Sequence, residues 1–349
     1  MMPYLILFIV SFIFGWFFQS IGMILPWLFG PISAAIALKK YSRVQYYWPK
    51  GISDIGLYIL GAQIGVSFTK EILGDIAHDF LSIVLLSVLI VVCAIVISLL
   101  FKKIVGCSTE TALLSSIPGA LNQMIVMAEE NKNASLLIVT LTQTSRLLFV
   151  IMFVPFISRL SSHNIHPIEL TQAKAIYDVL NIYQMMMLIV FIAVSIYCFK
   201  IIHLPVPDML GPIFVIVIWN LSTGQNFTVP MPLINIAQIL FGIRIGLQMY
   251  DLSSQINRKL FIGIFVQNFL LIMCAILMSI IVTVMTHHPF NDVFLSAAPG
   301  GMAQIVIVAL ETGANVAMIS SYHIFRIFFI LLAVTPLMSL YLKWRNQTL

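Results

Sequence analysis

Two arginines stand in this chain where an arginine is costly. Arg146 precedes the run LLFVIMFVPF, and Arg326 precedes IFFILLAVTP. Each comes three residues after a hydrogen-bonding side chain, Gln143 and His323. That spacing sets each pair on one face of a helix. A guanidinium inside an apolar stretch is by default a functional candidate. It can hold an anionic solute, or it can sit at the negative carbonyl end of a helix. The spacing leaves both roles open.

Upstream of each arginine lies a run that interrupts a helix. SSIPGALNQM covers residues 115–124 and SAAPGGMAQI covers 296–305. Proline removes a backbone donor, and the glycine after it lets the chain leave helical geometry. In hydrocarbon, backbone groups freed this way are tolerated only against protein or a wet cavity. Interruptions at matching places in two halves are a sequence pointer to a transporter binding site. The helix that restarts after each proline aims its N-terminal dipole and free N–H groups at the interruption, which suits a carboxylate or another anion. The candidate solute-binding set is therefore Ser115, Ser116, Pro118, Gly119, Asn122, Gln123, Ser296, Pro299, Gly300, Gly301 and Gln304, with Arg146 and Arg326 behind them. The bland alternative is a proline kink packed through glycine. Its occurrence twice, at equivalent positions, argues for function.

Gln143, His323, Asp54 and Arg244 form a second set, with a coupling or structural polar role. Asp54 aligns with Asn235 and Arg244 with Gln63 when the halves are superposed in sequence. Such unequal pairs are natural places for coupling chemistry or for a single ion pair. Glu130 and Glu311 match each other at segment ends and read as solvated charges. No pair of carboxylates is expected mid-membrane, which weighs against a simple cation/proton antiporter. His287-His288 and His163-x-x-His166 supply too few ligands at fixed spacing for a metal site. There is no Walker A run and no nucleophile elbow. No catalytic residue, cofactor or metal is expected, and the chain does not read as an enzyme.

The elements that must position these residues come from a duplication. Ser296 stands 181 residues after Ser115, and the same offset carries PWLFGP (26–31) onto PDMLGP (207–212) and GAQIG (61–65) onto GIRIG (242–246). Pro26, Pro31, Pro49, Pro118 and Pro155 meet Pro207, Pro212, Pro230, Pro299 and Pro336. Proline and glycine are good witnesses because each marks a special backbone position. The alignment slips by one residue at the arginines. The expected organisation is a membrane repeat over 1–160, a connecting stretch over 161–178 and a second repeat over 179–349.

Hydrophobic residues make up 60% of the chain and charged residues 9%, against roughly a quarter charged in a soluble domain. The chain therefore reads as a multi-pass protein of the cell membrane, with lipid as its solvent. Its net charge of +5 is scattered and offers no nucleic-acid surface. The N-terminus reads as a first membrane segment and not as a cleaved signal. The four cysteines share no CxxC spacing, and three of them read as small hydrophobes.

The fold class expected is an all-α integral membrane protein. Each repeat has five spans plus one short half-helix, and one helix broken at Pro-Gly. Spans are expected over 4–21, 52–68, 80–101, 111–128 and 134–157, then 179–202, 233–250, 260–286, 292–310 and 315–342. The short pieces are 28–38 and 209–221. Five spans per half invert the second copy; six make the copies parallel. The overall Lys/Arg balance fits both. Equivalent loops with opposite charge bias favour inversion: the loop after the first short piece is basic, and its partner over 222–232 has no charge.

With these duplicated motifs in view, the chain resembles the bacterial AbrB-type membrane proteins, which carry an AbrB duplication, over essentially its whole length. The resemblance implies an inverted-repeat secondary transporter with crossing broken helices, as in sodium/proton antiporters and bile-acid transporters. Members of that family have been labelled putative ammonia monooxygenases or regulators of gene expression. An oxygenase would need a His/carboxylate metal cluster, and a direct regulator would need a DNA-binding module; the residues supply neither. The expectation is a transporter or exporter of a small anionic or zwitterionic solute, coupled to H⁺ or Na⁺, with self-association left open. The alternative is a membrane regulator or sensor that acts through a partner, docking on the stretch 39–50 or the connection 158–178.

Overall fold

The computed structural model describes residues 2–348 apart from 43, 45, 71, 73, 75, 77–78, 162–174, 226 and 254. The side chains of 2, 122, 253, 343 and 345–348 also lie outside the described residues. The described chain is helical. The first half holds α1 (Met2–Ser20), α2 (Pro26–Tyr41), α3 (Lys50–Val66), α4 (Phe80–Val105), α5 (Thr109–Ser116), α6 (Leu121–Glu130) and α7 (Leu136–Ser161). The second holds α8 (Ile182–Ile201), α9 (Pro207–Thr223), α10 (Met231–Ser253), α11 (Arg258–Thr286), α12 (Phe290–Ala297), α13 (Met302–Thr312) and α14 (Val316–Phe329). A π turn, Ile330–Val334, joins α14 to α15 (Thr335–Thr348). Pro336 has no N–H for the carbonyl four residues back, and the π turn lies directly before it. Among the described residues, seven helices are long and apolar enough to cross a membrane.

Local sequence explains where these helices start and stop. Gly106 ends α4 in the left-handed region at φ 76°, returning its N–H to Lys102 O at 2.9 Å. Asn181 and Gln184 close a capping box on α8; such a cap contributes about 1 kcal/mol. The short helices α2 and α9 begin on prolines, whose fixed φ suits a first helical turn. The residues before them, Leu25 and Val206, are left-handed at φ 52° and 49°, a strain of roughly 1–2 kcal/mol each. At 16 and 17 residues, both helices exceed the short pieces expected from sequence. The proline starts and the polar ends Lys39-Lys40 and Asn220–Thr223 belong to the helices although they are not apolar.

The chain divides into two compact units, and each takes chain from both sequence halves. Unit 1 comprises Met1–Ala77, His163–Asp251 and Val306–Ala317. Unit 2 comprises His78–Ser162, Leu252–Ile305 and Met318–Leu349.

Within unit 1, glycines set the spacing of the helices. A Cβ on Gly61 would stand 2.7 Å from Met209 O, and one on Gly65 2.7 Å from Ile216 Cβ, so α3 lies directly on α9. A Cβ on Gly242 would stand 2.9 Å from Leu28 O, and one on Gly246 2.6 Å from Ile32 O, so α10 lies on α2. No larger residue permits such backbone approach. Helices α3 and α10 run antiparallel to one another. The residues just before each helix meet residues farther along the other: Trp48 Nε1 donates to Leu240 O at 3.1 Å, and Val229 N donates to Gln63 Oε1 at 3.0 Å. The two helices touch at Gly56, where a Cβ would stand 2.8 Å from Ala237 O.

Unit 2 packs α11 along α4, with Ala94, Ile97 and Leu271 in one apolar contact. Phe101, Ala112, Leu141, Leu260 and Ile264 form a second contact, which ties α5 and α7 to the same pair. Arg146 on α7 and Arg326 on α14 belong to this unit.

Candidate functional site

Helix α5 stops at Ser116 and α6 starts at Leu121; α12 stops at Ala297 and α13 starts at Met302. Four residues separate the helices in each case. Gly119 takes φ +102°, open to glycine and strained for other residues. A Cβ on it would stand 3.0 Å from Ile330 Cδ1 and 3.8 Å from Arg326 Nε. Gly300 keeps an ordinary φ, but a Cβ there would stand 2.7 Å from Val150 Cγ1. Each interruption therefore rests on the arginine-bearing helix of the other half.

The end of α5 is a complete account of hydrogen bonds. The last carbonyls of a helix have no partner within it, and burying them bare costs about 1–3 kcal/mol each. Leu113 O accepts from Ile117 N at 3.3 Å. Leu114 O accepts from Gln143 Nε2 at 2.7 Å, and Ser115 O from Gln267 Nε2 at 3.1 Å. Ser116 O accepts from Arg146 Nη1 at 2.9 Å. Ile117 O accepts from Arg146 Nη2 and Gln143 Nε2, both at 3.1 Å. Arg146 Nη2 also donates to Gln143 Oε1, which fixes the amide with its oxygen toward the arginine and its nitrogen toward the carbonyls. The guanidinium sits on the negative pole of α5, where a cation is favoured.

The end of α12 repeats this plan with different chemistry. Phe294 O accepts from Ala298 N at 2.9 Å. His323 Nε2 meets Leu295 O at 2.9 Å, and Arg326 Nη2 meets His323 Nδ1 at 2.6 Å. Arg326 reaches Ala297 O at 3.4 Å, longer than the 2.9 Å of the matching bond from Arg146 to Ser116 O, and it reaches Gly300 O at 3.5 Å. Gln267 has no counterpart, because position 86 on α4 is leucine. Arg326 Nε is buried with no hydrogen-bond partner among the described residues.

The structure gathers most of the residues singled out in the sequence. Ser115, Ser116, Gln143, Arg146, Ser296, Gln304, His323 and Arg326 are all buried. Ser116 Oγ donates to Ala112 O and Ser296 Oγ to Asp292 O, so both hydroxyls serve their own helices. Ser115 Oγ has no hydrogen-bond partner among the described residues. Gln304 folds its Oε1 back over Gly301, at the position from which a helix's third residue reaches its own start. Gln123 is half-buried. The side chain of Asn122 lies outside the described residues. Glu130 ends α6 exposed. His163, His166 and most of the connection 161–178 lie outside the described residues.

Asp54 and Arg244 belong to unit 1. Arg244 Nη1 stands 3.7 Å from Asp54 Oδ1. Asp208 lies close enough to Asp54 to repel its charge, and Lys200 Nζ holds Asp208 Oδ1 at 2.7 Å. Tyr58 OH donates to the same oxygen at 3.4 Å. Two carboxylates 154 residues apart thus share one charged neighbourhood, a pairing invisible in the linear order.

Sequence reasoning missed Gln267 and Asn268. Both are 1% exposed in the middle of a 29-residue apolar helix. Two adjacent amides in such a run are the signal that could have found them. Gln267 supports α5. Asn268 has no hydrogen-bond partner for either amide atom among the described residues. Among those residues no group of three or more His, Cys, Asp or Glu side chains could hold a metal ion.

The chain is 22% identical over 345 residues to "Uncharacterized protein YhjN" of Bacillus subtilis (strain 168), covering 92% of this chain and 88% of that protein. It is 24% identical over 329 residues to "Putative regulator AbrB" of Escherichia coli (strain K12), covering 91% of each. A family model described as "Transition state regulatory protein AbrB" matches residues 27–342. Since that match takes in nearly the whole chain, the chain belongs to the AbrB family.

Proposed function

We propose that this protein is a secondary transporter, multi-pass in the cell membrane, for a small anionic or zwitterionic solute coupled to H⁺ or Na⁺. It has no enzymatic step of its own. The observation that carries this reading is the pair of buried arginines, each seated beside a four-residue interruption of a helix in unit 2. The interruptions are read as breaks in two membrane helices. Helix α6 restarts after Ala120 with no side-chain cap, so its first N–H groups and its dipole remain for a solute. The carbonyl ends are already neutralised by Arg146 and Arg326, so an added anion meets the positive pole unopposed.

The two halves are read as inverted repeats, the arrangement that alternating access exploits. Support comes from unit 1. Helices α3 and α10 begin 181 residues apart and run antiparallel, and they touch at Gly56 and Ala237, themselves 181 residues apart. Parallel repeats would set equivalent helices in the same direction.

Metabolite profiling of cells with and without the protein, followed by flux of the leading anion into proteoliposomes, tests the function. Arg326→Gln and Gln304→Ala should reduce that flux at least tenfold while the protein still purifies folded. Wild-type flux in both variants would sink the site. A second reading is favoured by the words "regulatory" and "regulator" in the family description and in one relative's name. In it the protein signals through a partner docked on the stretch 39–50 or 158–178. Deleting those loops would then abolish a gene-expression response and spare flux.

A further inference from the structure

We infer that the coupling ion is a proton and that the carboxylate of Asp54 carries it; the inference rests on the transporter reading for its use and on the geometry of unit 1 for its place. Asp54 and Tyr58 stand one turn apart on α3 and share a face. Tyr58 OH donates to Asp208 Oδ1 at 3.4 Å, which brings the start of α9 against that face. Two carboxylates thus meet where each residue is less than a tenth exposed, and each raises the cost of the other's charge. Their partners are shared unequally. Asp208 Oδ1 has Lys200 Nζ at 2.7 Å as well as the tyrosine. Asp54 Oδ1 has no hydrogen-bond partner among the described residues, and Arg244 Nη1, at 3.7 Å, stands beyond hydrogen-bond reach. Of the two, Asp54 is the carboxylate whose charge is poorly held.

The groups acting on Asp54 are Lys50 and Tyr58 on its own helix, Asp208 on α9, Lys200 in the last turn of α8 and Arg244 on α10. A proton needs only one bare oxygen here. A Na⁺ would need several oxygens around it, and the lysines and arginine beside Asp54 offer donors and no acceptor. The neutral form strands no buried charge. Asp208 keeps Lys200, and the side chain of Arg244 is one-third exposed. Lys50 is exposed at the start of α3, one turn before Asp54, and the side chain of Lys200 is about half exposed. Lysine heads at helix ends seek water, so these two mark the edge from which a proton arrives.

The duplication already contains the uncharged form. Asn235 aligns with Asp54 and is a neutral isostere of its protonated carboxyl; Gln63 aligns with Arg244 and is uncharged too. The same two positions serve one half as an ion pair and the other as amides. Protonation also has a mechanical consequence. The Asp54–Arg244 pair joins α3 to α10, which touch at Gly56 and Ala237. A proton on Asp54 dissolves that tie between equivalent helices of the two halves, and its release restores the tie.

The test is infrared difference spectroscopy of the purified full-length protein during acidification, with no solute present. Wild type should develop the C=O band of a protonated carboxyl that Asp54→Asn lacks; that variant installs the residue of the other repeat. Asp208→Asn should keep the band but need more acid, because the repelling neighbour is gone. Arg244→Gln should show it with less acid, because the favouring cation is gone. A spectrum unchanged by Asp54→Asn, or a band lost in Asp208→Asn, overturns the proposal. Should Asp54→Asn fail to fold, the opposite shifts of the other two variants carry the test, and no shift in either overturns it. In proteoliposomes, acid outside should stimulate wild-type uptake of the leading anion from the metabolite profile, and Asp54→Asn should lose that stimulation. Full stimulation in Asp54→Asn overturns the coupling role. The spectra need no solute, so failure of the proton site and failure of the transport reading are told apart.

Discussion

The two helix ends at the centre of unit 2 share a plan and differ in how firmly they are held. At α5, one arginine, one glutamine beside it and a second glutamine from α11 cover every carbonyl from Leu114 to Ile117. At α12, the arginine stands farther off, a histidine replaces the glutamine, and leucine occupies the position from which a donor could reach Ser296 O. Both helix ends pose the same backbone problem, last carbonyls without partners in their own helix, and the side chains solve it once tightly and once loosely. The tight end is suited to hold its shape and the loose end to change it.

The comparison can be broken by substitution. Arg146→Leu bares Ser116 O, takes one of two donors from Ile117 O and leaves Gln143 Oε1 unpaired, and should cost about 3 kcal/mol or more. Arg326→Leu should cost at least about 1 kcal/mol less, because its bonds are longer. Thermal unfolding of the detergent-purified proteins reads the difference, and equal losses would mean that the clamps are equivalent. Gly119→Ala forces φ +102° on a residue with a Cβ and presses on Ile330, for a loss of about 1–3 kcal/mol. Gln267→Leu makes α11 resemble α4 and bares Ser115 O, for about 1–3 kcal/mol; a neutral result would show that this donor does not matter to α5. His323→Gln rebuilds the α5 arrangement at α12 and should change the unfolding midpoint at pH 8 by less than about 1 kcal/mol equivalent. The smallest effect is expected in unit 1. Arg244 is one-third exposed and 3.7 Å from Asp54, so Arg244→Gln should shift stability by about 0–1 kcal/mol.

Much of this site was legible in the residues. Prolines and glycines restrict or free the backbone wherever they stand, so Pro118-Gly119 and Pro299-Gly300 point to chain that leaves the helix. The i, i+3 spacing of Gln143 with Arg146, and of His323 with Arg326, placed each pair on one face for the same local reason. The capping and solute-binding roles of the arginines could not be separated from sequence. That choice depends on which atoms lie opposite the guanidinium, and those belong to residues about 30 positions away.

What the sequence by itself determined is therefore local or compositional: an apolar helical chain, helices that stop and restart at fixed points, and polar groups paired along a single face. What the tertiary structure decided is who answers whom across long separations. Gln267 reaches Ser115 over 152 residues, Asp208 joins Asp54, and glycines 61 and 242 each receive a helix from the opposite half. Backbone preference is encoded residue by residue. The partner of a buried donor is set by packing, where any helix that brings an acceptor within about 3 Å will serve.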